Sequence, residues 1–172
     1  YEIMPSLVGS EMCIRDSLDP ILHIEGALKG LRNRFEKVKA SPVYQTMAIG
    51  FDGPDFYNLV VTFCTQLAAN ALIDQLHSIE SDQGRVRGNG AIASRVIDLD
   101  LLLYGDAVLY GQGLDVPRRE ILEYAFVLSP LSDLLPDMAH PGVGDSFKAL
   151  SEASGATLQR APWQPADSLL ND

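Results

Sequence analysis

The sequence predicts an α+β domain with helices laid against one antiparallel sheet. Two observations lead there. Apolar residues recur at helical spacing in separated stretches, and between them lie short β-branched runs bounded by Gly, Pro and Asp. The stretches follow the order α–β–β–α–β–β–α, which suits helices covering an antiparallel sheet. With one strand placed before the first helix, the order becomes the split βαβ, ferredoxin-like pattern.

Ile21, Ile24, Ala27, Leu28 and Leu31 predict an amphipathic helix from Pro20 to about Phe35, with Asp19 as N-cap. Val38 to Thr46 reads as a strand, and Gly50-Phe-Asp-Gly53-Pro54 as a turn or loop. Asn58 to Leu67 alternates and is rich in β-branched residues, as a central strand would be. Ala68 to Ser81 reads as a second helix with Leu72, Leu76 and Ile79 inward, stopped at Gly84. Val96 to Tyr104 is the next strand, and a short one follows around Val108-Leu109. Arg119–Leu122 and Ala125–Leu135 read as short helices before Pro136. The stretch 155–172, with Ala161-Pro-Trp-Gln-Pro165, reads as an irregular tail.

The first 17 residues stand apart. Leu7-Val-Gly-Ser-Glu-Met-Cys-Ile-Arg-Asp-Ser17 back-translates in frame to a transposon-type sequencing adapter. The expectation is that residues 1–17 are not native, that the domain runs over 18–154, and that its first strand is missing or replaced. No targeting signal can be read from such a start. Cys13 then carries no information, and Cys64 reads as a core residue in a reducing compartment.

The chain has 172 residues, 47% of them hydrophobic, enough for one domain with a sizeable core. No apolar run approaches membrane-spanning length. The formal net charge is −10; leaving out residues 1–17 removes three carboxylates and one arginine and brings it to −8. Such acidity argues against a general nucleic-acid binder. It also makes a local cluster of arginines more telling.

That cluster is Arg85-Val-Arg87 and Arg95, followed at once by Asp98-Leu-Asp100 and the run Leu101-Leu-Leu-Tyr104. On a strand, positions i and i+2 face the same way. Two carboxylates side by side in an apolar segment repel each other and lose hydration, and a divalent cation removes both penalties. Mg²⁺ suits one or two protein carboxylates and completes its shell with water and phosphate oxygens. Arginine forks suit phosphate. Gly84, Gly88 and Gly90 would leave the basic loop mobile. An Asp-x-Asp pair alone is weak evidence and is often a solvated strand end; in this setting it reads as a metal–nucleotide site.

Further pieces fall into one pattern: Ser41-Pro-Val-Tyr44-x-Thr46, Pro54-Asp-Phe56-Tyr-Asn58, Ile79-Glu80 with Gly84-Arg85-Val-Arg87, and Arg95-x-x-Asp98-x-Asp100-x-Leu-Leu-Tyr-Gly105. Val116-Pro117 and Ala125-Phe126-Val127-Leu128-x-Pro130-Leu131 complete it. Jointly, over about Leu18 to Pro141, they resemble the 6-hydroxymethyl-7,8-dihydropterin pyrophosphokinases of folate biosynthesis. The resemblance implies transfer of the β,γ-pyrophosphate of ATP to the pterin hydroxymethyl group, with release of AMP. It implies two Mg²⁺ ions on Asp98 and Asp100, and Arg85 and Arg87 closing over the triphosphate. It places Glu80, Arg87, Arg95, Leu101 and Arg118 on ATP, and Thr46, Phe56, Asn58 and Phe126 on the pterin. It further implies a cytoplasmic monomer with small-molecule substrates and neither nucleic-acid nor membrane partners.

Read without the resemblance, Phe56 and Phe126 are simpler as core residues, Asn58 as a strand cap, Glu80 as an exposed helix end, and Thr46 as an ordinary strand residue. The chain also departs from the family. Arg118 follows Pro117 where many members have His. Tyr124 replaces a common Arg, Ile92 falls where a loop Trp is common, and Met47-Ala-Ile-Gly50-Phe51-Asp52-Gly53 replaces a Pro-rich loop. These departures keep two alternatives open: a non-catalytic nucleotide or pterin binder on the same fold, and a Mg²⁺-dependent phosphoryl transferase with another acceptor.

Overall fold

The computed structural model describes residues 20–47, 55–84, 97–111 and 113–170, and the main chain of 4–12. The strands are β1 (Met4–Met12), β2 (Glu36–Ala40), β3 (Tyr44–Thr46), β4 (Phe56–Thr65), β5 (Asp100–Tyr104), β6 (Leu109–Gly111), β7 (Leu114–Val116) and β8 (Gln159–Arg160). The helices are α1 (Pro20–Arg32), α2 (Ala69–Asp82), α3 (Glu120–Glu123), α4 (Ala125–Leu134), α5 (Phe147–Ser154) and α6 (Asp167–Leu170). The main sheet runs β5-β1-β4-β3-β8, with β2 also on β4, and every pairing is antiparallel. This is the α+β, ferredoxin-like arrangement that the element order predicts. β6 and β7 form a separate hairpin.

Helices cover both faces of the sheet. Ile24, Leu28 and Leu31 of α1 and Leu72, Leu76 and Ile79 of α2 pack with Leu59, Val61 and Phe63 of β4. Ile121, Leu128, Leu131 and Phe147, from α3 to α5, pack on the other face with Val60, Leu102 and Leu103. A strand buried on both sides needs apolar residues at successive positions, and Leu59-Val-Val61 supplies them. Cys64 is a free, half-buried thiol on β4 and not a fully buried core residue.

The single strand expected over Val38–Thr46 is two strands. Pro42 has no N–H for the ladder. The buried Ser41 bridges the break: its N–H donates to Val60 O at 2.9 Å, and its Oγ accepts from Val60 N at 3.0 Å. The tail expected to be irregular is ordered instead. β8 pairs with β3, and the Gln164 amide imitates a further strand residue, accepting from Val43 N at 2.7 Å and donating to Val43 O at 3.0 Å. Trp163 packs near Tyr57, and Leu169 and Leu170 pack on the first core. The apolar area of these three side chains, with the Gln164 clamp, outweighs what the two prolines suggest.

A strand fills the place before α1. β1 lies between β4 and β5 and pairs with β4 from Met4↔Thr65 to Met12↔Tyr57. The origin of these residues is a separate matter, because ladder hydrogen bonds use groups that every non-proline residue carries.

Candidate active site

The acidic segment enters β5 with alternating burial. Ile97 and Leu99 are buried, and Asp98 and Asp100 are half-buried between them. The expected same-side placement of the two carboxylates thus appears at the strand mouth, although β5 begins only at Asp100. The anchor behind them is Glu80, near the end of α2. Its side chain is 0% exposed, and its Oε1 accepts the Leu99 N–H at 2.8 Å. The reading of Glu80 as an exposed helix end does not hold: it is buried beneath the carboxylates and holds the backbone between them.

Asp100 sits in a field that resists its ionisation. Burial raises its pKa above the usual carboxylate range, Asp98 raises it further, Arg118 offsets part of this, and Glu120 and Glu80 add to the rise. Arg118 arrives from the far side of the β6–β7 hairpin. Its N–H donates to Leu102 O at 2.9 Å, which fixes its backbone beside β5. Its Nη2 donates to Glu120 Oε1 at 3.0 Å and lies 3.5 Å from Asp100 Oδ1. Its Nε is buried without a partner among the described residues.

Asp100 and Arg118 border a cavity of about 160 Å³ whose walls include Ile73, His77, Leu99 and Leu101. Leu101, expected on the ATP side, therefore lies with Arg118. His77 was not apparent from the sequence; it becomes a wall residue because it follows Leu76 on the inner side of α2. Among the described residues no three His, Cys, Asp or Glu side chains form a metal cluster. The donor set nonetheless fits Mg²⁺, which takes one or two carboxylates and leaves its other positions to water and phosphate. A crowded, partly desolvated pair of carboxylates is what such a cation would relieve.

The second half of the site lies on β3 and β4. Asn58 is 2% exposed. Its Nδ2 donates to Thr46 Oγ1 at 3.0 Å, leaving Oδ1 buried with no partner among the described residues. A buried carbonyl oxygen without a donor is costly unless a ligand supplies one. Thr46 pairs across the ladder with Phe56. Phe126 opens α4, which packs over β3 and β4. It stacks on Tyr124 with ring centroids 5.0 Å apart and an interplanar angle of 15°. The sequence does not signal that stack, since Tyr124 reads there only as the replacement of a common Arg. β1 separates the two halves: Glu11 pairs with Asn58 and Gly9 with Asp100. Asn58 and Asp100 are therefore two strand spacings apart, roughly 10 Å across the sheet. Arg85, Arg87 and Arg95 lie outside the described residues.

A carboxylate pair with Asp100 beside a cavity that Arg118 lines, two strand spacings from an amide with an open acceptor, suits a transferase that handles phosphate. The chain belongs to the 7,8-dihydro-6-hydroxymethylpterin-pyrophosphokinase family, whose model matches residues 8–136. It is 40% identical over 147 residues to a 2-amino-4-hydroxy-6-hydroxymethyldihydropteridine pyrophosphokinase of Pseudomonas aeruginosa, a match covering 84% of this chain and 90% of that one. It is 35% identical over 127 residues to the folic acid synthesis protein fol1 of Pneumocystis carinii, covering 73% of this chain and 16% of that protein. In structure it resembles the Plasmodium falciparum HPPK-DHPS triple mutant, with a TM-score of 0.70 at 13% identity, over 89% of this chain and 43% of that one. The chain thus spans most of the bacterial enzyme and only a minor part of the two longer proteins.

Proposed function

We propose that this chain transfers pyrophosphate from ATP to 6-hydroxymethyl-7,8-dihydropterin, giving AMP and the pterin diphosphate. The observation that carries the reading is the carboxylate pair Asp98 and Asp100 at the mouth of β5, with Glu80 bonded to the Leu99 N–H between them and Asp100 lining a cavity with Arg118. Family membership supplies the reaction class.

In this proposal Asp98 and Asp100 hold two Mg²⁺ ions. Ions held there would supply positive charge that offsets the negative charge building on the phosphates during transfer. The cavity between α2 and β5 takes the nucleoside end of ATP, with Leu101 against it. Arg118 and Arg95 meet the phosphates. Arg85 and Arg87, outside the described residues, would add their charge to the triphosphate. Asn58 Oδ1 accepts from the amide-bearing edge of the pterin, with Thr46 fixing the orientation of the Asn58 amide. Phe56 and Phe126 flank the flat ring. Glu80 acts through Leu99, as a positioning residue. A cytoplasmic monomer goes with this reading, and gel filtration checks the monomer.

The test is AMP formation from ATP and Mg²⁺ with and without hydroxymethyldihydropterin. Stoichiometric AMP and pterin diphosphate, only when the pterin is present, is the expected result. Pterin binding without AMP would mark a non-catalytic module, and ATP turnover that ignores the pterin would mark a transferase with another acceptor.

A further inference from the structure

We propose that Arg118 competes with a divalent cation for Asp100, so that metal loading depends on bound triphosphate. The inference rests on the reading of Asp98 and Asp100 as cation ligands and concerns how that site is controlled.

The geometry is that of one cation shared by two carboxylates. Arg118 Nη2 is 3.0 Å from Glu120 Oε1 and 3.5 Å from Asp100 Oδ1. The backbone of Arg118 cannot retreat, because its N–H is bonded to Leu102 O, two residues beyond Asp100 on β5. Unless the guanidinium swings away, a divalent ion on Asp100 would meet its positive charge, and like charges within about 4–6 Å disfavour each other. All three side chains are about one-third exposed, so solvent tempers the repulsion without removing it.

The competition has a release. Glu120 gives the guanidinium an acceptor that it can keep while it lets go of Asp100. A triphosphate gives it a better one, since a guanidinium carries five donors in a planar fork that matches phosphate oxygens. Arg118 has donor capacity in reserve, because its Nε has no partner among the described residues. Without nucleotide, Arg118 lies against Asp100 and weakens metal binding. With nucleotide, the fork turns to phosphate and Asp100 is freed for the ion. Each ligand then raises the affinity of the other by the same factor. A neutral side chain at this position would bind the metal more tightly alone and gain less from nucleotide.

Mn²⁺ binding followed by electron paramagnetic resonance, with and without α,β-methylene-ATP, tests this in the parent, Arg118→Met and Arg118→Lys. Without nucleotide, Arg118→Met should bind Mn²⁺ about 5–10-fold tighter than the parent, and its gain on adding the analogue should shrink by a similar factor. Arg118→Lys keeps the charge and should follow the parent in Mn²⁺ alone. Arg118→Gln, which keeps a donor toward Glu120, should reproduce the gain and serves if the Met variant fails to fold. Neutral variants that bind Mn²⁺ alone no tighter than the parent overturn the inference. Asp98→Asn separates the two levels: unchanged Mn²⁺ affinity in that variant would overturn the cation site itself, whereas a loss there with no gain at Arg118 would overturn only the competition.

Discussion

Glu80 Oε1 accepts the backbone N–H of Leu99 at 2.8 Å, inside the protein, with Leu99 standing between Asp98 and Asp100. A buried carboxylate on a helix thus fixes the spacing of two half-buried carboxylates at a strand mouth. Truncating it would leave the Leu99 N–H without its acceptor. Glu80→Ala should cost about 2–3 kcal/mol of stability, the scale of a hydrogen bond to a charged group. Urea denaturation measures it, and Glu80→Gln, which keeps an acceptor oxygen, should lose less. Equal stability of the Ala variant and the parent would remove Glu80 from this role.

Asp98→Ala and Asp100→Ala should each lower turnover by about 10²–10³ or more, as when a group that stabilises transition-state charge is deleted. Steady-state rates at saturating Mg²⁺ and ATP provide the measure. Turnover within about threefold of the parent in both variants would sink the metal assignment.

Asn58→Ala should weaken pterin binding by about 1–3 kcal/mol while nearly sparing nucleotide binding, because polar atoms of the bound ring lose their partner. Calorimetry with each ligand separates the two. Equal losses for both ligands would indicate general damage to the fold.

His140 offers a check on the other face of the sheet. It is 4% exposed, its Nδ1 accepts from Gly142 N at 3.0 Å, and it meets Phe147 edge-on. Burial holds its pKa below the ordinary 6.5. The folded chain therefore takes up this proton at lower pH than the unfolded chain does. Its contribution to stability is complete above about 6.5 and is lost as pH falls through the lowered value. Urea midpoints between about pH 7.5 and 5 should fall in the parent and fall less steeply in His140→Phe. Parallel slopes would remove His140 as the cause.

Much of this was legible in the sequence, for physical reasons that differ by element. Leu72, Leu76 and Ile79 declare the inner side of α2 because helical periodicity repeats every turn. Asp98 and Asp100 stand out through their spacing in an apolar run just after the arginines. The ion pair of Arg118 with Asp100 was not readable, since it brings together residues 18 positions apart through the path of the β6–β7 hairpin. Glu80 could not be told from a surface residue, because its partner is a backbone N–H that carries no side-chain signal. The tail misled for a similar reason: Gln164 takes a strand's place through its side chain, between two prolines that argue against any strand.

The pairing of β1 has a consequence of its own. Its register sets Asn58 beside Glu11 and Asp100 beside Gly9, so the strand works as a ruler between the proposed pterin pocket and the proposed phosphate end of the site. A ruler is judged by its width and not by the letters on it. Peptides of quite different wording would keep the two marks in place, provided that their backbones complete both ladders.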